Sequence, residues 1–319
     1  MAVVENVGMR DSGGATLAGE VRGKPRGLWS DAWRRLRRNR AATAGVIYIA
    51  LICLLAIAAP LIAPYNPNYA SATAQPNTPP IWSAGHDPRY LLGTDELARD
   101  ELSRLIFGAR VSMAVGIVPI VIITAVGLLV GVTAGWSGGW VDTVLMRLVD
   151  AVYAFPAFLF FIVLATVLRD TGFGRLLGGL VMLFTAFAIV GWTDMSRLVR
   201  SQVLTVKTRD YIEAAQAMGA PTSRIILKHV LPNSLAPVIV AIAFGVPSYI
   251  LAEASLSFLG LGVQATVPSW GSMVFDGFPA ILGQPEFVIM PSLLIAFIML
   301  AFTFLGDGVR DALDPQAIE

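Results

Sequence analysis

Few side chains in this sequence could do covalent chemistry, and their spacing disqualifies most of them. Gly135-Trp136-Ser137-Gly138 has the Gly-x-Ser-Gly form of a serine nucleophile, but such a serine needs a histidine within hydrogen-bond reach to take its proton. The chain has two histidines, His86 and His229, and His229 lies among charges that place it in an aqueous loop. The plainer reading of Ser137-Gly138-Gly139 is a tight turn ahead of an Asp142 cap. With a single thiol, Cys53, no intramolecular disulfide can form, and one cysteine with two histidines gives too few donors for a zinc or haem centre. A phosphate-binding loop needs a glycine, four residues, then Gly-Lys-Ser/Thr. Of Lys24, Lys207 and Lys228, only Lys24 follows a glycine, and it has Ala18 at the first glycine position and Pro25 after it. The expectation is a non-enzyme with no metal and no cofactor of its own, whose energy source is another polypeptide.

Charge gives no case for nucleic acid either, because 23 Lys and Arg against 22 Asp and Glu leave a net charge of +1. Hydrophobic residues make up 55% of the 319 positions and charged residues 14%, with a mean hydropathy of +0.68; soluble chains carry about a quarter charged residues. The apolar residues fall in uncharged runs long enough to cross the roughly 30 Å of a bilayer core. Six runs are read as spans: 44–63, 111–136, 151–168, 176–193, 231–252 and 287–306. All must be helical, since lipid offers the backbone no other partners, and internal Pro119, Pro156, Pro247 and Pro291 predict kinks. The uncharged stretch 254–275 could also span, but Gly260, Gly262, Pro268 and Gly271 favour a re-entrant or interfacial excursion. With the N-terminus inside, the inner segments hold 17 of the 23 basic residues, which puts both termini in the cytoplasm. No apolar h-region precedes residue 44, so the first span is expected to be an uncleaved anchor.

The spans organise the rest. Residues 1–43 form a cytoplasmic tail, disordered over 1–27, then a basic helix with Trp29, Trp33 and Leu36 on one face, suited to an anionic lipid surface. Residues 44–110 hold the first span and an outer loop that turns helical over 95–107, with Glu96, Arg99, Asp100, Glu101, Ser103 and Arg104 on the polar face of an interfacial elbow. The core runs over 111–306 and a short cytoplasmic tail over 307–319. Between the fourth and fifth spans, 194–230 is the one sizeable inner connection. There Asp210 and Glu213 have capping-box spacing, Gly219 supplies a left-handed stop, and Pro221 suits the start of a second helix. Small Ala214, Ala215, Ala217 and Ala220 allow close approach of another backbone, while Tyr211 and Met218 are apolar anchors for a partner groove.

The wording of that connection, Glu213-Ala214-Ala215, Gly219, His229 and Leu231-Pro232, resembles the EAA loop of ATP-binding-cassette (ABC) importer permeases. Leu92-Gly93-Thr94-Asp95-Glu96-Leu97-Ala98-Arg99-Asp100, Phe155-Pro156, the run 253–262, Pro268-Ser269-Trp270-Gly271 and Leu305-Gly306-Asp307-Gly308 narrow the likeness to the C-type permease of the dipeptide/oligopeptide class over about residues 30–315. Ala98 departs from it, standing where that family more often has glycine. The resemblance implies an all-α membrane protein of six spans with a five-helix type I importer core, moving peptides inward by alternating access. It also implies partners: a second homologous permease, one or two ATPase subunits that bind the ATP and Mg, and an extracytoplasmic substrate-binding protein at the outer loops. Tyr211, Glu213, Ala214, Ala215, Met218, Gly219, Ala220, Pro221 and Thr222 become the coupling element that docks on the ATPase. The same permease class also serves nickel and other small solutes, so cargo stays open. Glu253, Ser255 and Ser257, where the fifth span meets the outer excursion, are candidates for the pathway or outer gate. An ion-coupled secondary transporter would instead need ionisable residues near the midplane, and Arg147, Asp150, Asp194 and Glu253 are read at span ends, the first two pairing across one turn.

Overall fold

The computed structural model describes residues 28–313, with side chains from Trp33 onward. The 1–27 tail, the facing of Trp29 and the end of the 307–319 tail, from residue 314 on, fall outside the described residues. In chain order the helices are α1 Leu28–Arg38, α2 Arg40–Ile62, α3 Glu101–Ser137, α4 Gly139–Tyr153, α5 Ala157–Leu168, α6 Leu180–Lys207, α7 Asp210–Ala217, α8 Thr222–Ile225, α9 Leu231–Phe258, α10 Trp270–Gly277 and α11 Glu286–Leu313. Five continuous helical stretches are long and apolar enough to span a bilayer, and α4 with α5 makes a sixth when taken as one span bent by 73°. The bend falls at Ala154–Pro156, because proline lacks an N–H and its ring disfavours helical geometry at Phe155. The kink expected at Pro156 is therefore a full break, and the third span begins at Gly139 rather than at residue 151.

Helices 3 and 6 form the spine. Gly127, Gly131 and Gly135 of α3, four residues apart, lie against Met195, the Ser196 carbonyl with Val199, and Val203 of α6. Any side chain at these glycines would collide, so the bare backbones touch, as small residues permit in lipid. Ile120, Ile123, Val199, Val203, Val246, Ile250, Ile298 and Phe302 bring α9 and α11 onto that spine as one core. On the flank, Gly45 of α2 abuts the Ala301 backbone and Gly308 of α11 abuts Ala42, while Leu51, Leu54, Ile57 and Leu61 of α2 point outward.

Alternation of the helices puts α1, the Ser137–Gly139 turn, residues 208–230 and the end of α11 at one end of the bundle. Gly138 and Gly139 turn there with φ of 67° and 55°, as the sequence suggests. The loops 63–100, 169–179 and 259–285 meet at the other end: Arg169 donates to the Gly260 carbonyl, Gln264 N–H to the Gly178 carbonyl and the Gln284 amide to the Asn77 carbonyl. The 254–275 stretch makes no seventh span: α9 continues to Phe258, a turn follows, and α10 packs against α3, α9 and α11.

Two expectations fail by the same cause, the choice of partner across helices. The interfacial helix over 95–107 does not form. Residues 95–99 are a turn, helix begins only after Asp100 caps it, and α3 then runs unbroken to Ser137, through the 110/111 boundary. Arg147 and Asp150 do not pair either; Asp150 accepts from Arg197 of α6 at 2.7 Å. Asp142, in the first turn of α4, is likewise taken by Arg200, whose Nε and Nη2 each donate to it at 2.6 Å.

Candidate functional site

The elbow between α6 and α9 is built from a few anchors. Arg209 is extended (φ −85°, ψ 140°), so α7 starts at Asp210, with Ile212 and Ala215 buried beneath it. No side chain caps this helix, so the expected Asp210–Glu213 capping box does not form: Asp210 sits inside the helix, where its carboxylate favours the N-terminal dipole instead. Gly219 adopts φ +75° and ends the helix, its N–H bonded to the Gln216 carbonyl at 2.9 Å. Ala220 N–H returns to the Ala215 carbonyl at 3.1 Å, a Schellman-type closure that fixes the reversal. Pro221 then precedes α8, which passes through a π-turn at Ile226–Val230 straight into α9, so that 222–258 is one helical run.

The elbow's surface divides the sequence candidates. Tyr211, Glu213, Ala214, Met218, Gly219, Pro221 and Thr222 are exposed, Met218 at 81%. Ala215 is buried and Ala220 half-buried against the core, so these two hold the elbow down rather than present it. Tyr211 lies 6.3 Å from the His229 ring, linking α7 to the start of α9. Leu227, 66% exposed on the same run, is a surface residue that the motif reading passed over; its signal was an apolar side chain beside Lys228 and His229.

At the opposite end, of the residues expected on the polar face of an interfacial helix only Glu96 is exposed; Arg99, Asp100, Glu101, Ser103 and Arg104 are buried. Asp95 accepts from the Arg99 N–H at 2.8 Å and from the Arg99 Nε at 2.6 Å. Arg104, 1% exposed, reaches Asp276 of α10 at 2.6 Å, and Arg99 approaches it at 3.4 Å. Burial pushes the Asp276 carboxyl up from the usual range, while the Arg104 and Arg99 charges pull it back. Asp100 caps α3 by accepting from the Ser103 N–H at 2.8 Å and hydroxyl at 2.6 Å. Trp270, fully buried, donates its indole N–H to the Leu105 carbonyl and its backbone N–H to the Ser112 hydroxyl, both at 3.1 Å. Ala98 takes φ +57°, which is why glycine suits that position better.

The three outer-gate candidates separate as well. Glu253 Oε1 accepts from Ser257 Oγ at 2.6 Å and from Ser269 Oγ at 2.7 Å. Both Glu253 and Ser257 are buried and tie α9 to the start of α10, with no open surface at either. Only Ser255 borders a cavity, of about 420 Å³, with Phe158, Phe258 and Ser292.

Comparisons with known proteins agree with this arrangement. Residues 127–319 match the model of the binding-protein-dependent transport system inner membrane component family, and 27–80 match the N-terminal transmembrane domain of oligopeptide transport permease C. The chain is similar to the dipeptide transport system permease protein DppC of Bacillus subtilis (strain 168), at 41% identity over 90% of this chain and 85% of that one. It is similar also to the oligopeptide transport system permease protein OppC of Escherichia coli (strain K12), at 40% identity over 93% of each. In fold it resembles the MetNI methionine ABC transporter in an inward-facing conformation, with a TM-score of 0.54 and 19% identity over 66% of this chain and 96% of that one. Glycine-spaced spans closed by an elbow between α6 and α9, in company with relatives this similar over nine-tenths of the length, mean that the chain belongs to the family of inner membrane components of binding-protein-dependent transport systems.

Proposed function

We propose that this permease moves di- or oligopeptides inward through a cell inner membrane, with both termini in the cytoplasm, as one half of a pathway completed by a second homologous permease. One or two separate ATPase subunits bind the ATP and Mg, and an extracytoplasmic binding protein delivers cargo to the loops at the 64–100 end. The observation that carries the reading is mechanical: 222–258 is one helical run, so a push on the exposed elbow turns the helix that lines the interior. Rigid-body motion of a partner is thereby converted to helix rotation. Tyr211, Glu213, Ala214, Met218, Gly219, Pro221 and Thr222 form the docking face, with Ala215 and Ala220 as its seat. Peptide cargo rests on the named relatives, and Ser255 is the one of the three outer candidates with access to cargo.

The test is uptake by the assembled complex in vesicles. ATP-driven peptide uptake is expected from the wild type. Gly219→Pro, which cannot adopt a φ of +75°, is expected to abolish uptake while the chain still inserts and co-purifies with its second permease. Uptake driven by an ion gradient without nucleotide would overturn the reading. So would extracellular labelling of a Met218→Cys variant by a membrane-impermeant thiol reagent.

A further inference from the structure

Asp194 is read from sequence at a span end, but α6 extends to Lys207, and this residue stands at its middle, roughly 20 Å from either terminus at 1.5 Å per residue. Neighbouring Gly191 is level with Ile123 and Met195 with Gly127, and those α3 residues occupy the centre of an uncharged run from 111 to 136. Asp194 opens onto a cavity of about 450 Å³ between α3, α5, α6 and α9, whose wall is mostly apolar, including Ile123, Phe161 and Phe244. It is the one charged group on that wall.

An ionised carboxylate at this depth is unfavourable in hydrocarbon and persists where it meets water or a cation. No cation among the described residues serves it. Arg197, one turn away, is committed to Asp150 and stacks over the Tyr153 ring at 4.2 Å, and Asp194 itself makes no hydrogen bond or ion pair among the described residues. Beside it, the Tyr249 hydroxyl lies over bare Gly191, where any side chain would displace it. Ser248, by contrast, spends its hydroxyl on the Phe244 carbonyl at 2.9 Å.

We infer that Asp194, with the Tyr249 hydroxyl next to it, contacts cargo in the translocation pathway and accepts hydrogen bonds from an ammonium group. The apolar wall takes the adjoining side chains of that cargo. This deepens the peptide-import reading and rests on it: a free α-amino group or a lysine side chain supplies the same ammonium, and one wall of the cavity is α9, the helix that the elbow turns.

The experiment is ATP-driven uptake by the complete complex in vesicles, comparing wild type with Asp194→Asn and Asp194→Glu. For each cargo the ratio of wild-type to variant rate cancels the binding protein's own preference. With an uncharged-side-chain tripeptide at pH 7, Asp194→Asn is expected to lower uptake on the order of 10-fold, the loss of one charge-assisted hydrogen bond, and Asp194→Glu to restore most of it. The wild-type to Asn ratio should shrink toward one by about pH 9, as the α-ammonium, with a pKa near 8, loses its proton. A tripeptide with an added lysine should keep a large ratio at that pH if a side-chain ammonium is held instead. A ratio near one at pH 7, or one that stays constant for both cargoes across pH, would overturn the Asp194 proposal alone. Wild-type vesicles that take up no peptide with ATP would overturn the import reading and this proposal together.

Discussion

At one end of the bundle Arg104 and Arg99 are buried against Asp95 and Asp276, and at the other Met218 is 81% exposed on an elbow that makes no ion pair of its own among the described residues. The first region ties three chain segments, the 95–100 turn, α3 and α10, through buried charges that pair with one another. The second hangs on the buried side chains of Ile212, Ala215 and Ile225, and reverses at one left-handed glycine. Under the proposed coupling role, the first region holds its shape and the second is moved as a unit. A machine that transmits motion needs both, since a push on the elbow does work on the interior only if the far ends of the helices are held.

The largest expected effect comes from opening the clamp. Arg104→Ala leaves the partly buried Asp276 with only the longer Arg99 contact at 3.4 Å, and breaking a buried pair by removing one partner costs up to about 3–5 kcal/mol. The thermal unfolding midpoint of the solubilised complex should fall steeply or the complex should fail to assemble. An unchanged midpoint would erase the contrast between the two ends. Next is the Glu253 tie. Glu253→Ala strands the Ser257 and Ser269 hydroxyls at a cost of about 1–3 kcal/mol, whereas Glu253→Gln keeps an acceptor and should behave close to wild type in the same measurement.

A smaller change tests the elbow. A side chain at 219 meets no neighbour, so Gly219→Ala is opposed only by its φ of +75°, about 1 kcal/mol. The midpoint should barely move, yet the reversal of the elbow should loosen and lower the uptake rate per hydrolysed ATP. A fall in stability as large as that of Arg104→Ala would make the elbow part of the rigid frame. The smallest effect is a gain. Ala98→Gly relieves a left-handed alanine at the cost of unfolded-chain entropy, for a net stabilisation of roughly 0.5 kcal/mol. It is read as a slight rise in midpoint with unaltered uptake.

Much of this was legible from residue types. The helix–Gly219–Pro221–helix order of the elbow follows from local rules, because a left-handed stop and a proline start depend on few neighbours. The α3 glycines stand four apart in the sequence, a spacing that the sequence reading passed over, and only the facing α6 reveals what each glycine admits. Polar residues were read least well. Asp210 and Glu213 have capping-box spacing without a cap, and Arg147 and Asp150 have pairing spacing without a pair. A sequence window contains only near neighbours, and a buried charge selects the best of all groups that the fold delivers.

By itself, then, the chain's sequence determined that apolar runs become spans and which end of the bundle carries the elbow, because lipid forces each backbone segment to satisfy its own hydrogen bonds locally; of the four prolines expected to kink spans only Pro156 breaks one, while Pro119, Pro247 and Pro291 lie inside continuous helices. Tertiary structure alone decided the partners: Arg104 with Asp276 across 172 residues, Arg197 with Asp150 across 47, and Asp194 with no partner among the described residues. The energy of a charge depends on what surrounds it in three dimensions, and no local pattern encodes that.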